Sequence, residues 1–468
     1  MRSLPPSLLA LVALAPLACA EAGPPPPASP PPPAPPASVA PQATARAPGK
    51  ATFIENDLAG AAARARAEGK ALFVDAWAPW CHTCLSMKNF VLGDPALAAL
   101  GDRVVFASID TDRPEAAAFL ARHTVKAWPT FFVLDPTADR VVGYWAGSAS
   151  LGELRGMVEE GLAEMRGSLT DPASRAFVEA RAAHAAGNLE GAAAAYARAV
   201  AAAPPAWPSR GAAFVGWMEV LAGAKAWSEC ARVGQAHAGE VRGSSAPGDF
   251  ASYLLTCAEK LPAGPEPLAA RKAAVALLRE ITVRPPADAS VDDRQDALDQ
   301  LADGLAALGD EPGAHAAQQA RATLLEQAAS AAKSPEQAQT FDYARAGAYA
   351  ALGRADEAVH MLEQREREMP GSYEPPARLA GVLYKTGRLP EALSAIDRAI
   401  ERAYGPRRLR YLKLRADILA KKGDLAGALA VRREEVKGWE GLAPGQASPE
   451  QLAEARRRLE EAEKTLPR

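Results

Sequence analysis

Between Ala51 and Arg166 the apolar residues fall into short unbroken runs, with helix-spaced stretches between them. KALFVDAW (70–77), RVVFASID (103–110), TFFVL (130–134) and Arg140–Trp145 are runs of strand length, rich in valine, isoleucine and phenylalanine. Runs of this kind predict strands buried on both faces. Phe53–Gly69 predicts an alanine-rich helix, Cys81 to about Val91 a second, Glu115–His123 a third and Leu151–Arg166 a closing one. Buried strands alternating with helices argue for a central sheet flanked by helices, with a parallel pair at its centre. The span 50–166 therefore predicts an α/β domain. From about Asp171 the strand pattern vanishes, and alanine-rich helices follow one another to the C-terminus.

That second half repeats. Glycines at 353, 387 and 423 recur at steps of 34 and 36 residues. Around Gly353, Gly387, Gly423, Gly187 and Gly309 an alanine stands seven residues before and another five residues after. A glycine suits the turn of a helical hairpin, and small residues at these offsets let its two helices approach closely. This register resembles the tetratricopeptide (TPR) repeat, and residues 170–468 are expected to form an all-α TPR-like solenoid. Gly309 heads one of the weaker copies, because Arg321 stands where the Gly187 and Gly387 copies carry alanine. The stretch from Pro205 to Pro285 fits poorly. Its Trp207, Trp217 and Trp227 read as core filling, and the scattered histidines of this half are given no role.

The chain opens with MRSLPPSLLALVALAPLACA, a thin basic start, an apolar run too short to cross a bilayer, and small residues after it. Residues 1–20 read as an export signal. Ala18-Cys19-Ala20 offers an ordinary cleavage site, and Leu17-Ala18-Cys19 resembles the end of a lipoprotein box with Cys19 as the lipidation candidate. Pro16 counts against the second reading, and the long spacer that follows favours it. Residues 21–49 carry PPPPASPPPPAPP, which has nothing apolar to bury and reads as an extended, disordered tether. A formal net charge of −3 with no long basic run gives no electrostatic case for nucleic acid. Together these features predict an exported protein of the bacterial periplasm or cell envelope, with Cys19 as the candidate membrane anchor.

Cys81 and Cys84 form the one C-x-x-C among five cysteines. A zinc site wants about four ligands, and no second pair is spaced to complete one. A disulfide closing so small a loop constrains the unfolded chain little. A working dithiol fits better: the pair follows a buried strand and opens a helix, so Cys81 sits where unpaired N–H groups and the helix dipole favour a thiolate. Cys84, one turn on, should be more buried and keep its proton. Cys81 would attack a substrate disulfide and Cys84 resolve the mixed disulfide, with no metal or organic cofactor. Cys230 and Cys257 either pair as a second redox element or remain free buried thiols; the second reading is preferred.

VDAWAPWCHTC (74–84), SIDTD (108–112), AWPTFFVLD (127–135) and Gly147 stand in an order and spacing that resembles the thioredoxin superfamily over roughly residues 51–166. The resemblance is strongest to the C-terminal domain of DsbD-type thiol:disulfide interchange proteins. It implies that Asp75 is the buried acid that helps deprotonate the resolving cysteine, and that Pro129 is a cis-proline opposite the dithiol. It also implies that Trp80, His82, Thr83, Trp128 and Thr130 contact substrate, Trp128 through its backbone. His-Thr between the cysteines departs from thioredoxin's Gly-Pro; His82 either stabilises the Cys81 thiolate or lies exposed at the tip.

Two functions follow. One is a cell-envelope thiol:disulfide oxidoreductase acting on protein thiols and disulfides, supplied by an upstream redox partner, its array binding a peptide or protein. The other is a TPR scaffold in which the thioredoxin-like domain is a regulatory or binding module.

Overall fold

The computed structural model describes residues 49–123 and 125–465. The export signal, most of the proline-rich tether and Cys19 lie outside the described residues.

The N-terminal part is a five-stranded sheet with helices on its faces. In chain order it runs β1 (Phe53–Glu55), α1 (Leu58–Glu68), β2 (Ala71–Trp77), α2 (His82–Phe90), α3 (Pro95–Ala98), β3 (Val104–Asp110), α4 (Ala117–Leu120), β4 (Thr130–Asp135), β5 (Arg140–Ala146) and α5 (Leu151–Met165). The strand order is β1-β3-β2-β4-β5. β1, β3 and β2 are parallel, while β4 is antiparallel to both β2 and β5. Phe73, Phe131 and Val133 fill one face of the sheet, and Val74, Ala107 and Phe132 the other. Both faces are dry, which is why these strands read as unbroken apolar runs.

One sequence expectation fails here. Phe53–Glu55 is an edge strand, not the first turn of a helix, and α1 begins only after Asp57, whose side chain accepts from the Gly60 N–H at 2.8 Å. Three residues carry no readable periodicity. β1 exists because β3 offers it a parallel edge, Phe53 opposite Phe106.

Fifteen helices follow among the described residues. Five hairpins match the repeat: α6 (Pro172–Ala185) with α7 (Leu189–Ala202), α12 (Val291–Ala306) with α13 (Glu311–Ala331), α14 (Pro335–Ala351) with α15 (Ala355–Glu368), α16 (Glu374–Lys385) with α17 (Leu389–Arg402), and α18 (Gly405–Lys421) with α19 (Leu425–Glu440). Their turn glycines, Gly187, Gly309, Gly353, Gly387 and Gly423, all have φ between 73° and 88°. Glycine adopts that left-handed conformation at no steric cost. The alanines seven before and five after each are buried, as close helix approach requires. At the weak copy Arg321 is buried too, but its guanidinium is held by Asp299 Oδ1 at 2.6 Å and Gln295 Oε1 at 3.0 Å.

The misfit stretch is also hairpins: α8 (Arg210–Gly223) with α9 (Trp227–His237), and α10 (Ala246–Lys260) with α11 (Pro265–Val283); α20 (Pro449–Thr465) ends the described chain. The α8–α9 turn residue is Lys225, at φ 59°. Seven before it stands Met218 and five after it Cys230, both fully buried. The geometry of the repeat is kept while all three marker residues are replaced, which hides the pattern in the sequence. Trp207, Trp217 and Trp227 pack against this core, as expected.

A second correction concerns the cysteines of the array. Cys230 of α9 and Cys257 of α10 are joined as a disulfide, not free thiols. The hairpin places Cys230 on the face that meets α10, and both side chains are fully buried against each other.

Candidate active site: the Cys81–Cys84 pair

β2 ends at Trp77, the chain turns through Ala78–Trp80, and α2 opens at His82 with Cys81 as its N-cap. Cys81 Sγ accepts from the Cys84 N–H at 2.9 Å. The two cysteines are joined as a disulfide. A sulfur at this cap faces the unpaired N–H groups of the first helical turn, which stabilise negative charge on it after reduction.

Asp75 lies in the middle of β2 and is 1% exposed. Its register neighbour on β3 is Ser108, whose hydroxyl donates to Asp75 Oδ2 at 3.0 Å. Lys88 Nζ reaches Ser108 Oγ at 3.1 Å and lies 4.0 Å from the carboxylate, and it also sits 3.4 Å above the Trp77 ring. Burial pushes the Asp75 pKa up to about 6, although Lys88 and Ser108 pull the other way. Burial likewise lowers the Lys88 pKa, against the attraction of Asp75. A carboxyl with a pKa near 6 exchanges its proton readily close to neutrality.

The Trp128–Pro129 peptide is cis. The Trp128 indole donates to Thr111 Oγ1 at 2.8 Å, the Trp80 indole donates to Asp112 Oδ2 at 2.8 Å, and the two rings lie 5.2 Å apart. The Thr130 hydroxyl turns back to the Ala127 carbonyl at 2.7 Å. Burial pushes the Asp112 pKa up to about 7, with repulsion from Asp110 adding to it and the Trp80 hydrogen bond, Arg407 and Arg410 opposing.

The surface around this dithiol is not open. The first helices of the last four hairpins turn toward it. On α12, Asp292 Oδ1 meets His82 Nδ1 at 3.0 Å. On α14, Thr340 Oγ1 accepts from Asn89 at 2.9 Å, and the Tyr343 ring stacks on His82 at 5.1 Å. On α16, Arg378 donates to the Trp80 carbonyl at 3.4 Å. On α18, the Arg407 guanidinium lies 4.6 Å over the Trp80 ring. The loop after β3 is held as well: the Tyr404 hydroxyl bonds Asp110, Gly405 packs against the Asp112 carbonyl, and Gln446 donates to the Arg113 carbonyl at 2.8 Å. Cys81 is 5% exposed and Cys84 1%, so both are covered.

The fold thus brings the expected Cys81, Cys84, Trp80, His82, Thr83, Trp128, Pro129 and Thr130 to the end of the sheet where β2 finishes and β4 begins, with Asp75 inside β2. Sequence reasoning misses Asp292, Tyr343, Arg378 and Arg407. Asp292 belongs to SVDDRQD, where an acid in the first turn of a helix reads as a solvated dipole partner. His82 is not an exposed tip residue, because Asp292 and Tyr343 enclose it.

Residues 53–136 match the family model described as thioredoxin-like. This part of the chain is a thioredoxin-like domain. Residues 349–418 match the tetratricopeptide repeat model, and the chain continues from the thioredoxin-like domain into a TPR-like array. Solved structures similar to the chain include TPR proteins. One from Parabacteroides merdae is 13% identical with a TM-score of 0.40, covering 63% of this chain and 100% of its own. A thermophilic TPR protein of Thermus thermophilus is 18% identical with a TM-score of 0.29, covering 46% and 99%. BtubC of P. vanneervenii is 16% identical with a TM-score of 0.32, covering 42% and 82%. No curated protein matches the chain.

Proposed function

We propose that the protein is a thiol:disulfide oxidoreductase of the cell envelope, working through the Cys81–Cys84 pair on protein thiols and disulfides. The observation that carries this reading is the Cys81 N-cap with the buried, proton-exchanging Asp75 on the strand that leads into it. In the reductive direction Cys81 attacks a client disulfide, the leaving client sulfur takes a proton, and Cys84 displaces the client from Cys81. The Cys84 proton passes toward Asp75 as the disulfide closes. Trp80, His82, Thr83, Trp128 and Thr130 are the proposed substrate-facing groups, with cis-Pro129 beside them. An upstream redox partner re-reduces the pair.

Export to the periplasm or envelope is part of the proposal. It draws on the signal-like first 20 residues and on the buried Cys230–Cys257 bridge, since structural disulfides persist in oxidising compartments. Cys19 is the proposed anchor. The array is the proposed site for a peptide or protein partner.

The packing of α12, α14, α16 and α18 on His82, Asn89 and Trp80, the neighbours of a buried Cys81, favours a second reading, a TPR scaffold in which the thioredoxin-like domain is a structural or regulatory module. Equilibrating the full-length chain with glutathione, then dithiothreitol, separates the two. An oxidoreductase gives a defined reduction potential and loses insulin-disulfide reduction in Cys81→Ser. A pair that does not equilibrate, or a Cys81→Ser chain that keeps full activity, overturns it.

A further inference from the structure

α18 carries a run of cations, PRRLRYLKLR (406–415), that the repeat register does not require. Arg407 is bridged to Glu374 at 3.6 Å, Arg408 to Glu434 at 2.8 Å, Lys413 to Asp417 at 3.5 Å and Arg415 to Asp397 at 2.7 Å. Among the described residues Arg410 has no carboxylate partner. Arg407 is near enough to repel it.

Arg410 stands on the wall of a cavity of about 320 Å³ shared by the thioredoxin-like domain and the array. From the first come Asp112, after β3, and Val125, Lys126 and Trp128, ahead of β4; from the second come Arg407 and Arg410 of α18, Trp439 of α19 and residues 445–448. Lys126 also lacks a carboxylate partner among the described residues. Asp112 is the one carboxylate on the wall; the Trp80 indole donates to it at 2.8 Å, and burial already opposes its ionisation. Lys126, Arg407 and Arg410 against Asp112 leave the wall net positive.

The wall is also aromatic. The rings of Trp80 and Trp128 lie 5.2 Å apart, and their indoles are tied to Asp112 and Thr111. Trp439 lines the same cavity, and its buried indole N–H has no acceptor among the described residues. Buried donors are nearly always paired.

We propose that this cavity binds an acidic peptide segment, whose side-chain carboxylates pair with Arg410 of the array and Lys126 of the thioredoxin-like domain. The proposal deepens the reading of the array as a partner-binding surface and rests on it. An unpaired guanidinium matches a carboxylate bidentately. An inorganic anion would leave the indole walls unused, whereas an organic one fills a pocket of this size and lining. Two unpaired cations from two parts of the chain suit two carboxylates, so an internal acidic segment fits better than a single chain terminus.

The test is calorimetric titration of the full-length chain at pH 7 and low salt. The probes are the end-blocked peptide Ala-Asp-Glu-Ala, its neutral twin Ala-Asn-Gln-Ala, N-acetyl-tetra-alanine with a free C-terminal carboxylate, and inorganic phosphate. The acidic peptide is expected to bind, at least about tenfold more tightly than the other three, and to weaken as salt is raised. Arg410→Ala and Lys126→Ala are each expected to weaken it about tenfold. Both side chains are exposed, so these substitutions leave the core intact. Arg408→Ala, on the same helix but paired with Glu434, is expected to leave binding unchanged. No binding of the acidic peptide, or binding indifferent to Arg410→Ala and Lys126→Ala, overturns the proposal. Tighter binding of the free terminus or of phosphate overturns it too. A neutral peptide that binds as well as the acidic one overturns it while leaving the array a partner-binding surface. A chain that binds the acidic peptide but does not reduce insulin fails the oxidoreductase reading and not this one.

Discussion

The Ser108 hydroxyl donates to the Asp75 carboxylate at 3.0 Å from the neighbouring strand, yet the acid remains hard to ionise because burial outweighs this hydrogen bond and the attraction of Lys88. Between about pH 4 and pH 6 the folded chain holds a proton that the unfolded chain has released. Stability should fall as pH rises through that window and level off above it. Asp75→Asn should flatten this slope and stabilise the chain at pH 7 by on the order of 2–3 kcal/mol, since the shift from 3.8 to about 6 is about two units. The same substitution should slow disulfide exchange by about 10²-fold, because the proton relay is lost. Urea melts across pH and insulin-reduction rates check the two halves; equal exchange rates would remove Asp75 from the mechanism.

Gly405 opens α18 with φ 54°, and a Cβ there would run into the backbone carbonyl of Asp112. Neither a left-handed alanine nor a backbone clash is easily relieved. Gly405→Ala should cost more than about 1 kcal/mol and loosen the array from the loop after β3. Thiol labelling of the reduced chain at Cys81 should then be faster than in the wild type. Unchanged labelling would mean that this seam does not control access to the dithiol.

The Cys230–Cys257 bridge closes a separation of 27 residues between α9 and α10. Loop-closure entropy for a chain of that length corresponds to about 3–4 kcal/mol. Replacing both cysteines with alanine should lower the Tm of the array by several degrees and leave the Cys81–Cys84 potential unmoved. A changed potential would make the second bridge a redox relay instead of a staple.

Lys225 holds a left-handed backbone at the α8–α9 turn, and its side chain is exposed. Lys225→Gly should stabilise the chain by about 1 kcal/mol, because the Cβ cost of that conformation disappears and no buried packing goes with it. Thermal unfolding checks this, and a lower Tm would show that the lysine side chain contributes something the turn geometry does not.

The two halves of the fold are legible in the sequence for different reasons. Strands buried on both faces carry unbroken apolar runs, so β2, β3 and β4 can be read within a residue of their ends. The hairpin turns demand a positive φ, and Gly187, Gly309, Gly353, Gly387 and Gly423 announce it. Where Lys225 takes the same backbone the repeat goes unseen, and three-residue β1 has no period to show. The C-x-x-C at a strand-to-helix junction, with Asp75 six residues before it, is readable because local geometry fixes what those residues can do. The tertiary structure alone decides that Asp292 and Tyr343 pack on His82 and Arg378 and Arg407 on Trp80, the neighbours of the dithiol, and that Cys230 meets Cys257. Cys230 meets Cys257 because α9 packs on its neighbour α10, whereas the four residues around His82 and Trp80 arrive through the curvature of stacked hairpins, which accumulates over some two hundred residues from small rotations between neighbours. No local pattern records that sum, so an acid at position 292 that reads as a solvated first-turn dipole partner becomes the buried partner of His82.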